Sequence, residues 1–360
     1  MRALVLSSQA KNTGSTLRAE YIHKYLNRAG IKADYISPPF NSMVFMADFF
    51  LSLFYYFFRV LNKRYDAVFI VKPYPNTVLP ALLLKFRGAP IIIDVDDLDY
   101  GYRGGVLSVI IEKMQAYFTG FADWLTSHNT ELIRLILRRF PRFKGKVLRL
   151  NQCVDTEIFR PSKKVSGAAG KLKKMVKGKR VLFYMAHLNI AGYLGEILES
   201  ARAAAAEGWV LVVAGGGPLL NRYKKEAFKQ GLEDFVFFTG PLAPREAAGY
   251  AAASDICLVY YSGRYVNRFR ASMKLREYLA MNKPVVANSM GEIREFKKIA
   301  YVSGASKKSF TAEIRRRIKN LDKRHEKGYK FIKANFDWRR EAEKLAGLIR
   351  VLIRDKNKKA

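Results

Sequence analysis

Three shortages bound what this 360-residue chain can be. Cysteine occurs twice, at Cys153 and Cys257, far apart and with no CxxC. A disulfide framework or a structural zinc site needs more than that, and two lone thiols suit a reducing cytosol. Carboxylates are scarce: 31 Asp+Glu stand against 64 Lys+Arg, a formal net charge of +33. That excess predicts an anionic partner, with nucleic acid, an anionic membrane face and a phosphorylated substrate all fitting the sign. Long apolar runs are missing too. The most apolar stretch, MVFMADFFLSLFYYFFRVLNKR at 43–64, is interrupted by Asp48 and Ser52, and its unbroken core runs only from Leu53 to Phe58. A membrane span needs roughly 18–20 such residues. The start, MRALVLSSQAKNTGS, turns polar after a short apolar run, and is expected to be a first strand rather than a signal peptide.

What is present is an apolar fraction of 49%, enough for sizeable cores, in a length that suits two α/β domains. Short β-branched runs alternate with helical stretches, the pattern of parallel sheets. In the first half the strand candidates are 2–8, 32–37, 67–71, 90–95, 124–127 and 146–150; in the second they are 180–185, 209–215, 235–240, 256–261 and 284–289. Between the two series, a Gly/Ala/Lys-rich stretch up to Arg180 lacks apolar periodicity and is expected to be a linker. The aromatic segment 43–64 ends in Arg59, Lys63 and Arg64. It fits either a helix buried against the first sheet or an amphipathic helix lying in a membrane plane.

Four stretches carry candidate chemistry. SSQAKNTGSTLR places Gly14 and Ser15 where a strand gives way to a helix; backbone N–H groups there can approach an anion, although GxGxxG is absent. VVAGGGPLL puts Gly216 in a glycine-rich loop without a Walker lysine, serving turn geometry or ligand contact. In SMKLREYLAMNKPVVANS, Lys274 and Glu277 share one helix face. A carboxylate there can accept from ribose hydroxyls and the lysine can neutralise phosphate; an ordinary i, i+3 ion pair is the plainer alternative. Finally, PIIIDVDDLDY (90–100) packs four aspartates behind an apolar strand. Metal binding, a phosphatase nucleophile, a cleft wall and simple loop capping all compete for it.

Several phrases, in order, are similar to retaining glycosyltransferases of family 4, the GT-B glycosyl transferases group 1, of which the chain resembles a divergent member. NQCVDTEIFRP (151–161) resembles the family's hinge phrase. LVVAGGGP and FVFFTGPLAPREAAGYAAASDICLVYY resemble successive strand–loop units. EYLAMNKPVVA resembles the nucleotide-site helix and strand, and FDWRREAEKLAGLI the terminal helix. The resemblance implies an α/β GT-B fold of two Rossmann-like domains facing a central cleft. An acceptor-side domain would span 1–160, a nucleotide-sugar domain 161–335, and a helix over 336–360 would cross back to the first. It implies a hexosyltransferase that moves sugar from a nucleotide-diphosphate sugar to a lipid-linked or polysaccharide acceptor. It implies no cofactor and no metal, and no protein nucleophile if the leaving phosphate takes the acceptor's proton. Glu277 would hold the donor ribose, while Gly14 and Ser15 would approach the diphosphate or the sugar.

The chain departs from the family pattern at several points. Phe269 stands where the family often has a first glutamate eight positions before Glu277. His187 occupies the position of a diphosphate-clamping arginine, and no lysine lies near Ala191. Arg270 or Lys274 would supply that charge. Asp96 falls at the position of a histidine that faces the transferred sugar, with Asp97 at the following aspartate. Basic clusters at 132–150 and 161–180 resemble those of members that work on lipid-linked acceptors, which implies a peripheral place on the anionic inner face of the cell membrane. No nucleic-acid-binding pattern appears. The alternative function is a catalytically degenerate relative that binds a membrane or partner.

Overall fold

The computed structural model describes residues 1–9, 14–39, 45–161 and 167–358, the side chains of 45–49 excepted. The chain divides into two units, Met1–Gln152 with Trp338–Ala360, and Cys153–Asp337. The first contains β1 (Arg2–Ser7), α1 (Gly14–Arg28), β2 (Lys32–Ile36), α2 (Phe45–Val60), β3 (Ala67–Val71), α3 (Pro75–Phe86), β4 (Ile91–Asp94), α4 (Gly105–Thr119), β5 (Trp124–Ser127), α5 (Thr130–Arg139) and β6 (Val147–Arg149). Its six strands are all parallel, in the order β2-β1-β3-β4-β5-β6. Buried on both faces, they are near-continuous apolar runs such as Ala67–Val71, in which every residue is buried.

The second unit contains α6 (Gly167–Val176), β7 (Val181–Met185), α7 (Leu194–Ala205), β8 (Val210–Ala214), α8 (Leu220–Lys229), β9 (Val236–Gly240), α9 (Pro244–Ala253), β10 (Ile256–Val259), α10 (Met273–Ala280), β11 (Val285–Asn288), β12 (Tyr301–Ser303), α11 (Lys307–Lys319) and α12 (Gly328–Asn335). Its sheet, also parallel, runs β12-β11-β10-β7-β8-β9. In order of appearance that is the 3-2-1-4-5-6 Rossmann arrangement, and the first sheet has the 2-1-3-4-5 order extended by one strand. In each, the direction of strand addition reverses next to the first strand. Those switch points, β1/β3 and β7/β10, are where loops part and ligands enter.

The helix α13 (Trp338–Asn357) belongs to the first unit. Its buried residues Trp338, Ala342, Leu345, Ala346 and Ile349 recur at helical spacing and pack on α1. Trp338 stacks with Tyr21 at 5.9 Å between ring centroids. One expectation needs correction. Part of the stretch read as a linker forms α6, whose Ala169, Leu172 and Val176 are buried against α9. That spacing is helical but too short and too diluted by lysine to register as periodicity. Lys163 and Lys164 lie outside the described residues.

Candidate active site

In the second unit the candidate residues gather at its switch point. α10 begins at an N-cap, Ser272, whose hydroxyl accepts from Leu275 N at 3.2 Å. Behind it Arg276, 1% exposed, pairs with Glu292 at 2.7 Å and donates to Ser272 O at 3.0 Å, while Glu292 also accepts from Ser272 N at 3.2 Å. These groups bolt the start of α10 to the short turn Gly291–Phe296. Sequence reasoning passed over Arg276 and Glu292, because neither carries a local signal beyond its polarity.

On the helix so held, Lys274 lies over the Tyr184 ring at 4.3 Å and donates to its hydroxyl at 3.2 Å. Arg270 lies over Tyr261 at 4.3 Å and donates to Ala191 O at 3.1 Å. Among the described residues Lys274 pairs with no carboxylate, so the plain i, i+3 ion pair with Glu277 does not form. Burial pushes the Lys274 ammonium down to about 7, with Arg270 adding to the shift and Glu277 opposing it. Burial likewise pushes the Glu277 carboxyl up to about 7, opposed by Lys274. The result is a desolvated site with one guanidinium, Arg270, beside a lysine and a carboxyl that burial shifts toward their neutral forms, short of negative charge.

The facing loop follows β7. Its start is held by Tyr278, whose hydroxyl accepts from Met185 N at 2.9 Å, and Tyr184 donates to Gly192 O. His187 is exposed on it, and partial desolvation lowers its imidazole. The glycine loop packs against this segment. A Cβ on Gly215 would meet Ala186 O at 1.9 Å and one on Gly217 would meet Leu188 O at 2.6 Å, both at left-handed φ. Gly216 is under no such restraint: its carbonyl accepts from Leu188 N at 2.8 Å, and a Cβ there would make ordinary contact with Pro241.

In the first unit the aspartates separate into different duties. Asp94 is fully buried and held by Arg18, Nε to Oδ2 at 2.7 Å and Nη2 to Oδ1 at 2.9 Å, with Thr126 donating to it as well. Arg18 also donates to Leu150 O at 2.8 Å and Gln152 Oε1 at 3.1 Å. Asp97 accepts from Leu98 N at 2.8 Å and from the Tyr102 hydroxyl; it ties the loop. Asp99 accepts from Lys72 at 2.5 Å and from Tyr74 at 2.6 Å.

Asp96 differs. Ser15 donates to its Oδ2 at 3.0 Å, while its buried Oδ1 has no hydrogen-bond partner and lies 4.0 Å from Lys72 Nζ. Burial raises the Asp96 carboxyl and Lys72 opposes the shift. Lys72 itself sits in the left-handed region at φ 70, a strained backbone for a long side chain. Burial would lower its ammonium, but Asp99, Asp96 and Asp97 outweigh that and raise it. Ser15 and Asp96 therefore meet at the first unit's switch point, with Gly14 exposed at the start of α1 and nothing within 4 Å of where its Cβ would be. Among the described residues no three His, Cys, Asp or Glu side chains come together as a metal site.

With the geometry in place, known proteins can be set beside it. Over nearly the whole chain the fold is similar to sucrose-phosphate synthase from Thermosynechococcus elongatus, with TM-score 0.77 and 13% identity over 99% of this chain and 100% of that one. It is also similar to Anabaena HepE in complex with UDP-glucose, with TM-score 0.75 and 14% identity over 98% and 100%. WaaG, a glycosyltransferase involved in lipopolysaccharide biosynthesis, gives TM-score 0.72 and 13% identity over 97% and 99%. At such identities the likeness is one of fold, and that fold is GT-B: two Rossmann-like units with a C-terminal helix returned to the first. Residues 179–320 match the family described as glycosyl transferases group 1, and that segment is a group 1 glycosyltransferase domain. The alpha-monoglucosyldiacylglycerol synthase of Streptococcus pneumoniae is 37% identical over 78 residues, 22% of this chain but only 17% of that protein's length.

Proposed function

We propose that the chain transfers a hexosyl group from a nucleoside diphosphate sugar, with retention at the anomeric carbon, to a hydroxyl of a lipid-linked or polysaccharide acceptor on the cytoplasmic face of the membrane. The observation that carries the donor half is the pair of basic groups inside the group 1 domain, Arg270 just before α10 and Lys274 on it, one helical turn before Glu277. A diphosphate supplies the negative charge that this desolvated site lacks, and the first turn of α10 adds N–H dipoles of the right sign. Glu277 accepts from the ribose hydroxyls. HepE carries UDP-glucose in the structure whose fold this chain shares.

In the reaction the bond from the anomeric carbon to the diphosphate oxygen breaks and a bond to the acceptor oxygen forms on the same face. The acceptor's proton passes to the leaving phosphate, so no protein nucleophile is required, and Arg270, Lys274 and the first N–H groups of α10 take the charge-neutralising role. Asp96, with one oxygen on Ser15 and the other without a hydrogen bond, orients the sugar or the acceptor hydroxyl, while Asp97 holds its loop. A lipid-linked acceptor is supported by the net charge of +33 and by the similarity to a glucosyldiacylglycerol synthase.

The test is a thermal-shift and transfer assay with UDP-, GDP- and ADP-glucose. One nucleotide sugar is expected to stabilise the protein, Glu277→Ala to abolish that shift, and Asp96→Asn to lower transfer while leaving the shift in place. No response to any of the three, with Glu277→Ala neutral, would sink the proposal. A second reading, a relative that has lost transfer, is favoured by one observation: the loop after β7 offers an exposed His187 and no lysine. It predicts binding to anionic vesicles with neither donor hydrolysis nor transfer.

A further inference from the structure

Two helices of the first unit are inside out. In α2 the buried stripe is Ser52, Tyr56 and Val60, at i, i+4 and i+8, whereas Phe50, Phe54, Phe57 and Phe58 point to solvent, Phe58 at 71% exposure. In α4 the buried stripe is Ile111, Gln115 and Thr119, and Val106, Leu107, Ile110 and Tyr117 are exposed, Val106 at 76%. A helix whose only apolar partner is its own sheet shows the reverse pattern. Between them α3 packs against both neighbours and adds Leu79 and Phe86, the latter 89% exposed. The crossovers β2–β3, β3–β4 and β4–β5 run in one direction along the sheet, so right-handed connections place α2, α3 and α4 on one face. The exposed apolar groups of the three helices therefore lie on one face of the first unit, more of them than singly scattered surface residues account for.

The charge around this surface selects its occupant. Arg59, Lys63 and Arg64 are exposed at the end of α2, Lys113 on α4 and Arg138 on α5, where Arg134 is paired with Glu131 at 2.9 Å. α2 contains one carboxylate, Asp48, α3 has none, and the single one of α4, Glu112, is paired with Arg139 at 2.7 Å. Two copies of a +33 chain meeting through this face would bring like-charged rims together. An apolar sheet of lipid bounded by anionic headgroups matches both the apolar centre and the basic rim. No described helix is long and apolar enough to cross a membrane.

We propose that α2, α3 and α4 together are a bilayer-inserting face, in which α4 enters an anionic leaflet alongside the aromatic helix α2. This deepens the membrane placement in the proposed function and rests on it, but it is independent of the donor site. The test uses the full chain with phosphatidylcholine vesicles, with and without phosphatidylglycerol. Binding is expected only with the anionic lipid and to weaken as salt rises. The pairs Phe54→Ser/Phe58→Ser and Leu107→Ser/Ile110→Ser are each expected to weaken it by about tenfold or more, with unchanged thermal unfolding. Tryptophan placed at Phe58 or Ile110 is expected to be quenched by brominated acyl chains. Absence of vesicle binding, an α4 pair that binds as well as the parent, or a lipid-free dimer abolished by the same substitutions would each overturn the proposal. The thermal shift with UDP separates the two ideas: if it fails while vesicle binding persists, sugar transfer falls and this face stands.

Discussion

Lys274 and Glu277 occupy one turn of α10, and burial moves both toward neutrality at physiological pH. The Glu277 carboxyl goes from 4.5 up to about 7, so the folded state holds a proton that the unfolded chain has lost. Stability from this group is full below 4.5, declines as pH rises toward 7, and is level above. Glu277→Gln removes that dependence. It is expected to raise Tm at pH 7, to leave it nearly unchanged at pH 4.5, and to weaken donor binding throughout. Differential scanning measurements across that range check it, and an equal Tm change at both pH values would disprove the assignment. Lys274 has the opposite sign: lowered from 10.5 to about 7, it contributes most above pH 10.5 and loses that contribution as pH falls. A site that is less stable empty than its neutral substitutes is one built to receive charge.

At the scale of elements, the start of α10 depends on a buried pair. Arg276 and Glu292 are nearly inaccessible, and Arg276 also lies over the Phe336 ring at 4.5 Å. Arg276→Met leaves Glu292 buried and uncompensated, and should cost about 3–5 kcal/mol. Arg276→Met/Glu292→Leu should recover most of it, since an apolar pair of similar volume escapes the desolvation penalty. Denaturant titration of the three proteins decides this. Donor affinity should fall in the single variant, whose helix start is loosened. α6 makes a different point at this scale: three apolar residues among lysines form a helix only because α9 is there to cover them.

At the scale of the molecule, the first unit is closed by a helix that begins 189 residues after its last strand ends (Arg149 to Trp338). Trp338 is fully buried, stacked with Tyr21 and 5.6 Å beneath the Arg18 guanidinium, while Glu341 accepts from Asn151 N at 2.8 Å. Trp338→Ala should cost the first unit about 3–5 kcal/mol and leave the second unit's unfolding in place. Calorimetry is then expected to show the lower transition split from an unshifted upper one; a uniform shift of both would contradict the division.

The sequence by itself determined the alternation of strands and helices, the order of the phrases that identify a GT-B chain, and the Lys274–Glu277 face. Each of these is written in local periodicity or in neighbours three or four residues apart. The tertiary structure alone decided which aspartate of the cluster Asp94, Asp96, Asp97 and Asp99 is available. Asp94 is claimed by Arg18 across 76 positions and Asp99 by Lys72 across 27, and only the sheet brings those partners together. It also decided that α2 and α4 turn their apolar sides outward. An amphipathic pattern states that a helix has two faces; which one meets the sheet depends on polar groups such as Ser52, Gln115 and Thr119 finding buried places. Burial, the one quantity no residue carries by itself, then set the protonation of Lys274, Glu277 and Asp96.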